Sequence, residues 1–550
     1  MKLKINNLAS EKYRWLALIF LALSLAIIII DNTVLNVAIP YILKDLNSSL
    51  GALEWVISGY ALIIATLLIT AGRLGDIYGR KKIFLIGLVL FATGSFIASI
   101  STSVFYLFIG EALIEAIGAS MMMTSSLALL VNEFRGKERA IAFGVWGSVA
   151  GASAAVGPLL GGYLTTYHSW RWSLRINVIV ALIAIFGSVF IKESTLQRMK
   201  RFDWMGTVYS GLGLFSLIFG ILEGDKFGWL APRYIFSIYN WQWPFAQLSI
   251  IPIAFVSAVY FLVLFFWHEH KIEKNNGDPL LKISLFKNRG FSLGLLVSTI
   301  LPMIYIGAFF VLPIFLENVL GINAFKAGLI LVTNALAAFV FGPLSGFVAS
   351  KIKPKYLVNF GIFCMLVGTL FLIRALNINI TAWSVVPALI LIGAGIGMTS
   401  AQITNITISA VSVEHTGEAS AVSSTVRQLG SSLAIAIIGS SLAVSLPSFI
   451  NANLQADNNI PPVPKYFITS EIASYNFSSG QRPDFINSDT EIGQSIKNDI
   501  NQAFVDSSKK ALNIALVFVV IGFLLSLFLP KEEGNKKQSS LNRTPFNRHK

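Results

Sequence analysis

The chain has 550 residues, 55% hydrophobic and 13% charged, with a formal net charge of +14 and a mean hydropathy of +0.69. Soluble domains carry about 25% charged residues, so a deficit spread over the whole length excludes a soluble protein and points to a polytopic membrane protein. The positive charge does not mark a nucleic-acid binder. Of the 42 Lys and Arg, 29 fall in seven short segments, 1–14, 73–82, 135–139, 192–201, 271–289, 351–355 and 531–550, the pattern of basic cytoplasmic loops.

In chain order, the basic N-terminus resembles a signal peptide. Its apolar run continues from Trp15 past Asp31 to Leu43 without a small-residue cleavage site, so an uncleaved membrane helix is expected. A span needs about 20 mostly apolar residues. Fourteen segments qualify: 14–42, 54–73, 82–100, 103–130, 139–165, 171–192, 205–223, 246–268, 290–316, 325–350, 356–375, 382–411, 418–446 and 510–530. All should be helices, because open strands cannot satisfy their backbone in lipid. The even count puts both termini in the cytoplasm, in a multi-pass cell (plasma or inner) membrane protein.

Between the spans, segment 224–245 is rich in Trp and Tyr and is expected at the outer interface. Segment 269–289 reads as a basic cytoplasmic loop containing Asp278-Pro279-Leu280. Segment 447–509 is long, external, and rich in Asn, Ser and Pro, with apolar clusters such as Tyr466-Phe467-Ile468 that leave room for a small hairpin or helix. The basic tail 531–550 is expected to be disordered and to touch anionic lipid.

A weak internal repeat is visible. Gly346–Lys355 follows the tenth span as Gly72–Lys82 follows the second, and repeated halves are the sequence mark of secondary transporters. The expected fold is an all-α membrane protein with fourteen transmembrane helices, two six-helix bundles plus two inserted central helices. Residues 1–201 form the first bundle and 202–289 the inserted helices and linker. Residues 290–530 form the second bundle, and 531–550 the tail.

Several residues carry chemistry of their own. In Gly72-Arg73-Leu74-Gly75-Asp76-Ile77-Tyr78-Gly79-Arg80-Lys81-Lys82 the glycines permit a tight turn, and Asp76 can accept from helix N-terminal N–H groups or pair with an Arg. Gly157, Gly161 and Gly162 allow helix backbones to touch, and Pro158 breaks a helical hydrogen bond and bends its helix. Asp31, Glu111 and Glu115 are intramembrane charges, which cost about 2.5–3.5 kcal/mol each to insert. Glu111 and Glu115 share one helix face, and two carboxylates brought together in a low dielectric cannot easily both ionise. The single Cys364 and five scattered His exclude a disulfide framework and a Cys- or His-based metal cluster. No cofactor is expected. No phosphate-binding Gly-x-x-x-x-Gly-Lys-Ser/Thr loop appears, so ATP-driven transport is not expected. No nucleophile–base pair suggests an enzyme.

The Gly72–Lys82 run resembles the signature loop of the major facilitator superfamily, with Ile77 at a usually basic position. Asp31–Pro40, the Gly144/Ser153/Gly157-Pro158/Gly161-Gly162 pattern, Trp170-Arg171-Trp172 with Asn177, Phe202–Gly206, and Gly417, Arg427-Gln428 and Gly430 resemble its fourteen-helix drug:proton antiporter family. That resemblance implies multidrug efflux: export of a small lipophilic, cationic compound in exchange for protons, by a monomer in the lipid bilayer without nucleic acid. It makes Asp31 a site for protons or cationic substrate, and the loop of Gly72, Gly75, Asp76, Gly79 and Arg80 a cytoplasmic gate. Gly157, Pro158, Gly161 and Gly162 become the antiporter kink. The chain departs from the family on its fourth helix, where Ala112, Glu115 and Ala116 replace an Arg- and Gln-containing motif. Arg175, at a usually apolar position, is expected to supply the missing charge by pairing with Glu111, Glu115 or Asp31. Export of an endogenous metabolite, peptide or lipid, and a non-transporting membrane sensor, are the alternatives.

Overall fold

The computed structural model describes residues 2–48, 50–134, 136–194, 202–238, 241–245, 247–349, 351–457, 460 and 490–531. Among them run fourteen long helices: α1 Lys2–Asp45, α2 Leu50–Tyr78, α3 Arg80–Ser99, α4 Val104–Glu133, α5 Gly136–Tyr167, α6 Arg171–Gly187, α7 Trp204–Phe227, α8 Ile250–Lys274, α9 Arg289–Asn318, α10 Ala324–Val348, α11 Pro354–Ala375, α12 Val386–Ser409, α13 Thr416–Ala456 and α14 Glu491–Leu527. Thirteen are long and apolar enough to cross a membrane; the other, α5, spans 32 residues and packs among them.

Helices α1–α6 form one bundle and α9–α14 a second, each around its own apolar core. They meet where α5 lies against α10 and α12, and where α2 and α4 lie against α13. The inserted pair α7–α8 packs on itself, and α7 leans on α2 and α13. Two of the contacts between bundles repeat each other. Gly72, near the end of the first bundle's second helix, abuts the start of α13, the second bundle's fifth helix; a Cβ there would sit 2.6 Å from that of Ala421. Gly346, at the matching point of α10, abuts the start of α5, with a Cβ placed 2.7 Å from Ile141 Cα.

Four sequence expectations change. The Gly72–Lys82 run is helical except at Gly79, because α2 continues to Tyr78 and α3 starts at Arg80. Gly79 alone makes the turn, at φ 107°, a conformation costly for any residue with a Cβ. Segment 269–289 is not a free loop: α8 continues to Lys274, and Leu280 and Leu281 are buried in the first bundle's core. Segment 447–509 begins and ends as continuations of α13 and α14, where Ile450, Leu454, Ile496, Ile500 and Phe504 extend the second core. Residues 224–245 hold a two-stranded antiparallel ribbon, Ser237–Ile238 with Trp241–Gln242, beside Phe227 and Phe236 packed on Trp55 and Phe219. The cluster at 466–468 and the tail from 532 lie outside the described residues.

One irregularity positions the acids. Within α4, Phe108–Glu115 is π-helical. Its partner α3 touches it backbone to backbone at two levels. A Cβ on Gly94 would lie 2.5 Å from Gly110 O and from Glu115 N, and one on Gly87 would lie 2.9 Å from Gly118 O. π segments of this kind concentrate at functional sites.

Candidate functional site

The π segment delivers Glu111 and Glu115 to Asp31 of α1. The three are 1%, 0% and 3% exposed, and each brings a carboxylate oxygen within 4.8 Å of the other two. Asn177 of α6 donates Nδ2–H to Asp31 Oδ1, and Ser95 of α3 donates its hydroxyl to Glu115 Oε2 at 2.6 Å. Asp31 Oδ2, Glu111 Oε2 and Glu115 Oε1 are buried and find no amide, hydroxyl or cationic donor. The hydroxyl of Tyr60 on α2 is also buried without a partner, within electrostatic reach of all three acids.

Among the described residues, no Lys, Arg or His forms an ion pair with this trio. Three carboxyl groups this close and this dry cannot all be ionised. Their oxygens suit protons or a cation. They could also ring a hard metal ion, whose oxygen ligands sit at about 2.3–2.6 Å; the scatter of His and Cys in the sequence gave no hint of that.

The expected partner is elsewhere. Arg175 lies with its guanidinium 5.2 Å from the ring centroid of Trp172, and no ion pair joins it to the trio. Its helix turns Asn177 inward instead. The charge missing from α4 is therefore not replaced by Arg175.

At the Gly79 end, residues of the 72–82 run form a charged contact between bundles. Arg80 grips Asp76 Oδ1 through Nη2 at 2.8 Å and Nε at 2.9 Å. The Asp76 carboxylate presses on the first turn of α13, where a Cβ on Gly417 would sit 2.1 Å from Oδ1; a helix N-terminus favours such an anion. Beside it, Arg73 pairs across the bundles with Glu418 at 3.6 Å, both buried. Glu418 also accepts from Lys282 N at 3.2 Å, and His415 Nδ1 lies 3.3 Å from it. Glu193 caps α3 by accepting from Lys81 N and Lys82 N at 3.0 and 3.1 Å. Sequence reasoning missed Glu193, Lys282, His415 and Glu418, because their partners are distant in the chain. A Cβ on Gly75 would meet only ordinary van der Waals contacts.

On α5, a Cβ on Gly157 would collide with Thr33 Oγ1 at 1.7 Å, and one on Gly161 would crowd Val34 at 3.1 Å. These glycines hold α5 against α1, two and three residues beyond Asp31. Gly162 differs from expectation, with nothing within 4 Å of a Cβ there. The helix is continuous through position 158; the Pro158 side chain lies outside the described residues. At the opposite end of the bundle, Asp45 accepts from Trp170 Nε1 at 3.0 Å and pairs with Arg171, which also donates to Ser101 O at 2.8 Å. The Arg171 hydrogen bond holds the Asp45 carboxyl below its ordinary range.

The Major Facilitator Superfamily model matches residues 21–203 and 197–435. Multidrug resistance protein Stp of Mycobacterium tuberculosis is 28% identical over 443 residues, 80% of this chain and 78% of its own. The methylenomycin A resistance protein of Bacillus subtilis is 30% identical over 426 residues, 77% and 86%. The tetracenomycin C resistance and export protein of Streptomyces glaucescens is 27% identical over 530 residues, 95% and 93%. Among solved structures, the proton:xylose symporter XylE superposes with a TM-score of 0.55 at 13% identity, covering 96% of this chain and 98% of its own; that likeness concerns the fold alone.

Proposed function

Because the chain belongs to the major facilitator superfamily, we propose that it exports lipophilic, cationic drug-like compounds in exchange for protons by alternating access. The observation that carries this reading is the buried trio Asp31, Glu111 and Glu115, gathered without a cationic partner. Relatives named for multidrug resistance, antibiotic resistance and export support the class of cargo.

In this reading a cation entering from the cytoplasm takes the place of a proton among the trio. Rearrangement of the bundles carries it outward. A proton from outside then neutralises a carboxylate, weakens its hold on the cation and releases it. The proton leaves to the cytoplasm in the return step. Asn177 and Ser95 fix the orientation of two carboxyl groups through both states. Arg80–Asp76 and Arg73–Glu418 hold the cytoplasmic side closed while the site opens outward. Gly157 and Gly161 transmit motion at the Asp31 level from α1 to α5, which also lies against the second bundle. Both termini are cytoplasmic, and a single chain suffices. The divisions at 202 and 289 separate the moving bundles from an inserted pair that steadies α2 and α13.

The test is uptake of ethidium into inverted vesicles with an acidic lumen. Wild type should accumulate the dye only while the pH gradient lasts, and Asp31→Asn and Glu115→Gln should not. Uptake that ignores the gradient would sink the exchange mechanism.

A further inference from the structure

A second charge, half-buried and of the opposite sign, lies between the bundles. Arg427 of α13 packs its guanidinium over Trp146 of α5, 5.5 Å from the ring centroid. Its one hydrogen bond to a side chain is a long one, Nη1 to Thr404 Oγ1 at 3.4 Å. Nη2 is buried without an acceptor. Trp146 is 4% exposed, and its indole Nε1–H also lacks an acceptor. Among the described residues no carboxylate pairs with Arg427. Tyr305 of α9 is the ionisable group within its electrostatic reach.

A buried guanidinium N–H ordinarily has an acceptor, because leaving it unmade is costly, the more so for a charged group. The Trp146 face offsets part of the charge, but a π face accepts nothing from Nη2. Packing alone would favour an apolar residue here. The depth is informative too. At about 1.5 Å per residue, Arg427 lies about 16 Å along α13 from Thr416, and Trp146 about 15 Å along α5 from Gly136. In a hydrocarbon core about 30 Å thick, both sit near the midplane, at the seam between moving bundles.

We propose that Arg427 and Trp146 form an acceptor subsite for the cargo: Arg427 Nη2 and Trp146 Nε1 hold a carboxylate or comparable anionic oxygen of the exported compound. The two donors come from different bundles, so this ligand bridges the surfaces that must separate during transport. The reading rests on the export function above and extends it. The preferred cargo carries a cationic centre for the trio and an anionic oxygen for Arg427.

The experiment compares rhodamine B, which has a cationic ring system and a free carboxylate, with its ethyl ester, which lacks the anion. Binding to purified protein is read by fluorescence polarisation, and flux is read separately in proteoliposomes with a pH gradient. Wild type binds the acid at least about tenfold more tightly than the ester. Arg427→Gln removes that preference by weakening the acid alone, and Arg427→Lys keeps part of it. Trp146→Phe, which keeps a ring but loses the donor, weakens the acid a few-fold. Equal wild-type affinity for the two dyes, binding of neither, or an Arg427→Gln variant that weakens both alike overturns the subsite. The wild-type comparison needs no variant to fold. Binding with the predicted preference but without gradient-driven flux would uphold the subsite and count against the exchange mechanism.

Discussion

Asp76 and Glu418 are buried beside Arg80 and Arg73, whereas Asp31, Glu111 and Glu115 are buried beside an amide, two hydroxyls and one another. The first set is compensated by charge and lies at a contact between the bundles; in the proposed mechanism that contact opens and closes. The second has no cationic partner among the described residues, which is why its proposed occupant is exchangeable. Burial alone does not distinguish a lock from a binding site; the identity of the neighbours does.

The comparison breaks most readily at the trio. Replacing one acid by its amide should abolish gradient-driven efflux, since a desolvated charge is worth about 2.5–3.5 kcal/mol, or about 100-fold in the exchange equilibrium at about 1.4 kcal/mol per tenfold. The thermal midpoint in detergent should hold or rise, because a buried charge has been removed. A large fall in the midpoint with efflux retained would make the trio structural.

The lock should behave oppositely. Arg80→Ala strands Asp76 without its cation and should cost about 3–5 kcal/mol, with much of that loss recovered in the Arg80→Ala/Asp76→Asn double variant. An additive double variant would show that the pair is not coupled. Smaller again, Gly72→Val should lose transport by holding the α2–α13 contact apart, at about 1–3 kcal/mol of overpacking. Cysteine labelling near Ala421 should then increase, and unchanged labelling would contradict the contact.

The smallest effect concerns Asp45. Its carboxyl is held below the ordinary range by Arg171. The clamp's contribution is therefore complete above the ordinary carboxylate range and is lost as pH falls through the lowered value. Because the pair is partly solvated, the effect should stay within about 1 kcal/mol. Asp45→Asn should flatten the acid side of a stability–pH curve slightly.

The spans were legible because lipid demands long apolar helices, and Asp31, Glu111 and Glu115 stood out as charges inside them. Their convergence was not legible. It depends on the π segment of α4, which packs against Gly94 of α3. Arg175 misled because residue type shows a charge but not the direction its helix turns it; Asn177 faces inward instead. The run at 72–82 was recognisable by its glycines and basic residues. Its partners were not, since Gly417 and Glu418 are brought to it only by folding. Arg427 stood out in the sequence only as part of a motif; its unmet donor and its place over Trp146 are set by the fold.

The most direct measurement is proton release on binding. Purified protein in weakly buffered detergent, given saturating ethidium near neutral pH, should release protons. An Asp31→Asn/Glu111→Gln/Glu115→Gln variant should release none. Ethidium binding by wild type with no proton released, or undiminished release from the triple variant, would contradict the account.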